Sequence, residues 1–188
     1  MRLPKRKNLA DISSAYRSSP VYVVIASVLT MAVIGILAIW RSEPFVFPPL
    51  GPTIFILFAF PLAQEANPRN VIGAYLAGLA AGIVALLIFG LVDVPPDITD
   101  LSWNRLGAIL FSLGLAIALI MGFRLLHVPG VATALVVGMG LLSQPEDWLF
   151  MVVGVVAVTA LAVVINRIVG IPHPLWRDPG AKRATGRD

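Results

Sequence analysis

The chain has 188 residues, of which 58% are hydrophobic and 13% charged, with a mean hydropathy of +0.89 and a net charge of +4. A soluble domain carries about 25% charged residues, so too few polar groups are present to cover a soluble enzyme, a nucleic-acid binder or a disordered chain. The remaining class is an integral membrane protein with a lipid-facing surface, with room for roughly four to six spans.

Residues 1–20 are polar and basic and are expected to be a cytoplasmic segment. Val21 to Trp40 is an uninterrupted apolar run. As a helix it is about 30 Å long, one bilayer core. Pro44 to Ala63 is apolar but broken. Pro48, Pro49 and Pro52 remove donors and disfavour helix, so a short helix is expected only from near Thr53. Gln64 to Asn70 is a polar loop, and Val71 to Val92 is a second clean span in which Gly78 and Gly82 allow close helix approach. Leu106 to Leu126 is a third span, after a loop with Pro95 and Pro96. His127-Val-Pro-Gly is another breaker, followed by a short helix expected over Thr133 to Leu142. Trp148 to Ile168 is the fourth clean span, and residues 171–188 read as a basic cytoplasmic tail.

The two breaks recur in register about 80 residues apart. Pro49 meets Pro129, Thr53 meets Thr133, Gln64 meets Gln144 and Gly90 meets Gly170. The fold expected is therefore an all-α transmembrane domain over 21–170, in two related halves, 21–92 and 101–170. Each half holds two full spans around one broken segment. Basic termini place both ends in the cytoplasm and make the crossing number even. Four crossings with two re-entrant segments and six crossings are both possible. Six is favoured, because it puts Arg69 and Arg124 inside and makes the halves inverted repeats.

Paired interruptions in corresponding positions of two halves mark a substrate site near the midplane. Irregular backbone persists in a bilayer only inside protein or beside a water-filled cavity. Helix starts near Thr53 and Thr133 would offer free N–H groups and positive dipole ends, which suit a small anion. Gly51 and Gly130 lie beside those starts. His127 either assists a ligand or caps the preceding helix. Arg69 and Asn70 either steer an anion or anchor the interface. Asn166 and Arg167 are expected at the interface, and Glu65, Glu146 and Asp147 in water. His173 is the only other histidine, and no cysteine is present, so no metal site is expected. No nucleophile motif or nucleotide loop is visible, so neither enzyme activity nor a cofactor is expected.

Pro48-Pro-Leu-Gly-Pro, Phe60-Pro-Leu-Ala-Gln64, Pro68-Arg-Asn-Val-Ile-Gly73 and Leu126-His-Val-Pro-Gly-Val-Ala-Thr-Ala-Leu135 together resemble the HPP family of integral membrane proteins. The resemblance covers about residues 21–175. The chain departs from the family at His127-Val128-Pro129, where the family has His-Pro-Pro. The family is described as four-spanning, and plastid and cyanobacterial members are linked to nitrite transport. The resemblance thus implies movement of a small anion. The expectation is a transporter or channel for a small inorganic anion in the inner or plasma membrane, using Thr53, Thr133, His127, Arg69, Gly51, Gly130 and Asn70. The alternative is a non-transporting scaffold or sensor subunit. Glycine faces leave homo-oligomerisation open.

Overall fold

A computed structural model of the chain describes residues 18–43, 46–96 and 99–176. Most of the expected basic segments, 1–17 and 177–188, lie outside the described residues. Six α-helices follow in order: α1 (Pro20–Arg41), α2 (Leu50–Ala59), α3 (Pro68–Ile88), α4 (Trp103–Gly122), α5 (Pro129–Gly138) and α6 (Pro145–Ile168). A 3-10 turn, Gln64–Ala66, joins α2 to α3. No strand occurs among the described residues. Helices α1, α3, α4 and α6 are long and apolar enough to cross a membrane, while α2 and α5 have only 10 residues each.

Both short helices start earlier than their prolines suggest, α2 at Leu50 and α5 at Pro129. The first turn of a helix has no internal acceptor for its N–H groups, so proline costs little there. Pro52 and Pro129 both fall in that turn. Thr53 and Thr133 consequently sit inside their helices and do not cap them. Their hydroxyls bond back to the Pro49 carbonyl at 3.1 Å and the Pro129 carbonyl at 3.3 Å, the local bond that threonine makes within a helix.

Five of the six helices end alike. After α1, α3, α4, α5 and α6 a residue of positive φ turns the chain: Ser42, Gly90, Arg124, Gly140 and Gly170. The next N–H reaches back six residues inclusively, as from Leu125 to the Ile120 carbonyl and from Ile171 to the Asn166 carbonyl, both at 2.8 Å. This closes the orphan carbonyls of each helix end. Helix α2 is the exception. Its late carbonyls are taken by tertiary partners: Asn166 Nδ2 donates to Leu57 O at 3.0 Å, and the Ser18 N–H donates to Ala59 O at 3.2 Å.

These contacts fix the topology. His173, just past α6, donates to the Ala66 carbonyl in the 3-10 turn at 2.9 Å. Tyr22, in the first turn of α1, donates to Asn166 near the end of α6 at 2.7 Å. The start of α1, the 3-10 turn, the start of α3 and the ends of α4 and α6 therefore share one end of the bundle, called here the histidine end. Helix α6 has 24 residues and is about 36 Å long, so it begins at the opposite, far end. A four-crossing chain would put the 3-10 turn and the end of α6 at opposite ends. The chain instead traverses the bundle six times, with the segments around α2 and α5 among the traverses.

The packing is crossed between halves. Helix α5 lies mainly on α3, and α2 lies on α6 as well as on α1. At the α3–α5 crossing, a Cβ on Gly78 would collide with the Gly130 carbonyl, and one on Gly82 would stand 2.5 Å from Val137. The close-approach glycines of the second span are thus used within the chain. The main core joins Leu50, Ile54, Leu57 and Phe58 of α2 with Tyr75 of α3 and Met151, Val155 and Val158 of α6. The outer face is apolar as well: Val21, Val24, Val28, Ile36 and Ile39 of α1 are exposed, as a surface facing lipid requires.

Candidate functional site

A polar cluster sits within this apolar bundle, one turn into α2. Thr53 Oγ1 is fully buried and lies 2.8 Å from Tyr75 Oη of α3 and 2.9 Å from His127 Nε2, which precedes α5. On its other side, His127 Nδ1 lies 2.7 Å from the Glu65 carbonyl of the 3-10 turn. A carbonyl oxygen can only accept, so Nδ1 carries the hydrogen and, in the neutral ring, Nε2 is an acceptor. Thr53 then has one hydrogen and two acceptors in reach, Pro49 O and Nε2. Tyr75 is therefore the group that donates to Thr53. The tyrosine and imidazole rings also stand 5.9 Å apart, tilted by 32°.

A second cluster holds the same turn from the other side. His173 Nε2 donates to Ala66 O, and its Nδ1 accepts from Asn166 Nδ2 at 2.9 Å. Asn166 also donates to Leu57 O and accepts from Tyr22, so its amide is fully paired. The third carbonyl of the turn, Gln64 O, accepts from Asn70 Nδ2 at 2.8 Å. Every carbonyl of the turn is thus held by a side chain from outside it. Burial pulls the His173 ring below its usual value, reinforced by nearby Arg167, while the bond to Ala66 works the other way.

One local device presents both histidines. Helices α4 and α6 each end in the positive-φ turn, continue through a buried apolar residue, Leu125 or Ile171, and reach the histidine two residues on. The histidine N–H then bonds the carbonyl two residues back, at 2.7 Å for His127 and 2.8 Å for His173. The flanking prolines, Pro129 on one side and Pro172 and Pro174 on the other, keep both stretches out of helix.

The expected residues divide. Thr53 and His127 meet, and Asn70 fastens the turn they share. Arg69 Nη2 donates to Phe123 O, the last carbonyl region of α4, at 3.4 Å. Thr133 is fully buried, and its hydroxyl donates to the Pro129 carbonyl. Gly130 serves packing, because a Cβ there would strike the Ala74 carbonyl. Gly51 is exposed and lines a groove of about 220 Å³ with Ser27, Val28, Met31 and Ile54. A second groove, of about 270 Å³, is lined by Ile56, Phe60, Ala63 and Glu65.

Free N–H groups at the short-helix starts are not what the backbone offers. Leu50, Gly51 and Thr53 donate to Phe47, Pro48 and Pro49, and Gly130 and Val131 donate to His127 and Val128. Tight i→i+3 bonding of the first turn consumes most of them. Two other positions also differ from expectation. Asn166 is fully buried, not interfacial. His173 is buried at the start of the expected tail. Asp147, expected in water, accepts an exposed bond from the Gln144 N–H at 3.3 Å that closes the start of α6. Tyr75 was hidden inside an apolar span, where its hydroxyl was the available signal.

The family model described as HPP, transmembrane region, matches residues 13–174. The chain belongs to the HPP transmembrane family. It is an integral membrane protein, and the match spans both broken segments and both histidines. No curated protein and no solved structure matches the chain.

Proposed function

We propose that this HPP-family protein is a transporter or channel for a small inorganic anion of the nitrite type. The observation that supports it is the Thr53–Tyr75–His127 cluster: three buried polar side chains joined where one broken segment meets the other. A buried polar cluster in an apolar membrane bundle is costly unless it serves a path or a fold constraint. The donors offered to the anion are the Thr53 and Tyr75 hydroxyls and the imidazole, not backbone N–H groups. In the present arrangement these groups satisfy one another. The 3-10 turn is the element whose release would free them.

The crossed packing of α2 on α6 and α5 on α3 supports an inverted-repeat arrangement of the two halves. Orientation is proposed from charge. The histidine end carries Arg69, Arg124 and Arg167, and the far end carries Arg41 and Arg105, so the histidine end is assigned to the cytoplasm. The packed helix starts favour one second reading, a non-transporting scaffold or sensor. Uptake by proteoliposomes decides between them. Nitrite, nitrate, formate and chloride are supplied outside, and internal anion is followed with time. Saturable flux of at least one anion is expected, and absence of flux for all four would leave the scaffold reading.

A further inference from the structure

The far end of the bundle carries an arginine that the cluster above does not use. Arg105 lies in the first turn of α4 and is only 3% exposed. Its Nη2 donates to the carbonyls of Val94 at 2.9 Å and Pro95 at 3.2 Å. Its Nη1 is buried and has no hydrogen-bond partner. Among the described residues no carboxylate forms an ion pair with it. Gly140, at the end of α5 with φ +81°, lets the guanidinium lie against its backbone: a Cβ there would stand 2.6 Å from Nη1 and 3.1 Å from Cζ.

A guanidinium with two donors buried and unpaired is an expensive arrangement. Its place in a helix first turn adds to the cost, because the positive helix end repels a cation. A small oxyanion would offset both effects. It would pair with Nη1 through charge-assisted bonds while Nη2 keeps its carbonyls. A purely structural role, pinning residues 94–95 onto α4, needs Nη2 alone and leaves Nη1 unexplained.

We infer that Arg105 Nη1, beside Gly140 and the 94–95 backbone, is a binding site for a small inorganic oxyanion. It lies at the end of the bundle opposite the Thr53 cluster. The inference rests on the anion-transport reading and adds a second station for the same ligand class.

The test is equilibrium binding by purified full-length protein in detergent, so that it is separate from flux. Sodium nitrite is titrated in chloride-free buffer against sodium gluconate of equal ionic strength, and thermal unfolding is followed. The wild type is expected to show a saturable, nitrite-specific rise in midpoint. Arg105→Gln should raise the half-saturating nitrite about tenfold or more, the loss expected for charged hydrogen bonds. Arg105→Lys keeps the charge without the fork and should fall between them. Gly140→Ala would put a methyl 2.6 Å from Nη1 and so displaces the guanidinium from its seat, which gives a second reading if Arg105→Gln does not fold. No nitrite-specific rise in the wild type, or unchanged half-saturation in Arg105→Gln or Gly140→Ala, overturns the site. Flux in proteoliposomes with unchanged binding in these variants would overturn this site and leave the transport reading intact. Arg105-dependent binding without any flux would do the reverse.

Discussion

The two broken segments share a backbone and differ in chemistry. Each is a helix of 10 residues with a proline at or just before its start and a buried threonine bonded to the proline four residues back. Around Thr53 stand Tyr75 and His127. The repeat puts Val155 and Phe47 at the positions corresponding to these around Thr133, and both are buried and apolar. One half thus keeps a hydroxyl–phenol–imidazole cluster and the other keeps only the scaffold. The recurring proline and threonine match the two short helices, and the residues that differ around Thr53 supply the chemistry. A symmetric reading that gives Thr53 and Thr133 equal roles overlooks this.

The largest expected effect tests the frame that holds the cluster. Asn166→Leu keeps the branched outline but strips partners from Leu57 O, Tyr22 and His173 at once. Each buried group left unpaired costs about 1–3 kcal/mol, so a loss of about 3 kcal/mol or more is expected. Denaturant unfolding in micelles measures it. A change within about 0.5 kcal/mol, typical of an ordinary surface position, would mean that the histidine end is not held as described.

The next effect breaks the comparison directly. Thr53→Val removes the hydroxyl to which Tyr75 and His127 converge, and Thr133→Val removes a hydroxyl with one local bond. Anion flux is expected to fall by about tenfold for Thr53→Val, the value of one or two buried hydrogen bonds. Thr133→Val should stay within about twofold by the same scale. Equal losses in the two variants would restore the symmetric reading.

Much of this was legible in the sequence. Proline and glycine punctuate the apolar runs, so the two breaks and the four long spans could be read directly. Thr53 and His127 stand out as polar groups at the breaks. The partners do not. The acceptors of both histidines are backbone carbonyls of the 3-10 turn, and a carbonyl has no sequence signal. Asn166 and His173 lie at the end of a span, where composition points to an interface. Only the tertiary fold shows that the chain doubles back there and buries them. The short helices begin ahead of Thr53 and Thr133 because a proline in a first turn starts a helix as readily as it breaks one.

A subtler variant separates holding the turn from serving the cluster. Asparagine can place an amide near the position of Nδ1 but cannot reach as far as Nε2. His127→Asn is expected to keep the bond to Glu65 O and lose the one to Thr53. Stability should then fall by about 1 kcal/mol, the net worth of one hydrogen bond, while flux falls as in Thr53→Val. His127→Ala should lose both bonds and cost more stability. If His127→Asn transported as well as the wild type, the imidazole would be a strut only.

The smallest effect concerns the other histidine, and its sign follows from the hydrogen bonds. His173 donates from Nε2 and accepts at Nδ1, so a second proton would face the N–H of Asn166. Burial first, and Arg167 second, hold the ring below its usual value of 6.5. The unfolded chain therefore binds that proton more tightly than the folded one. The contribution of His173 is complete above 6.5 and declines as pH falls below it. Unfolding midpoints measured from neutral pH down to about pH 5 should drop in the wild type. In His173→Gln, which has no proton to gain, that part of the slope should flatten even though its starting stability is lower. An unchanged slope would mean that the ring titrates as freely in the fold as outside it. The clamp on the 3-10 turn would then rest on His127 and Asn70, and the two sides of the turn would no longer be equivalent.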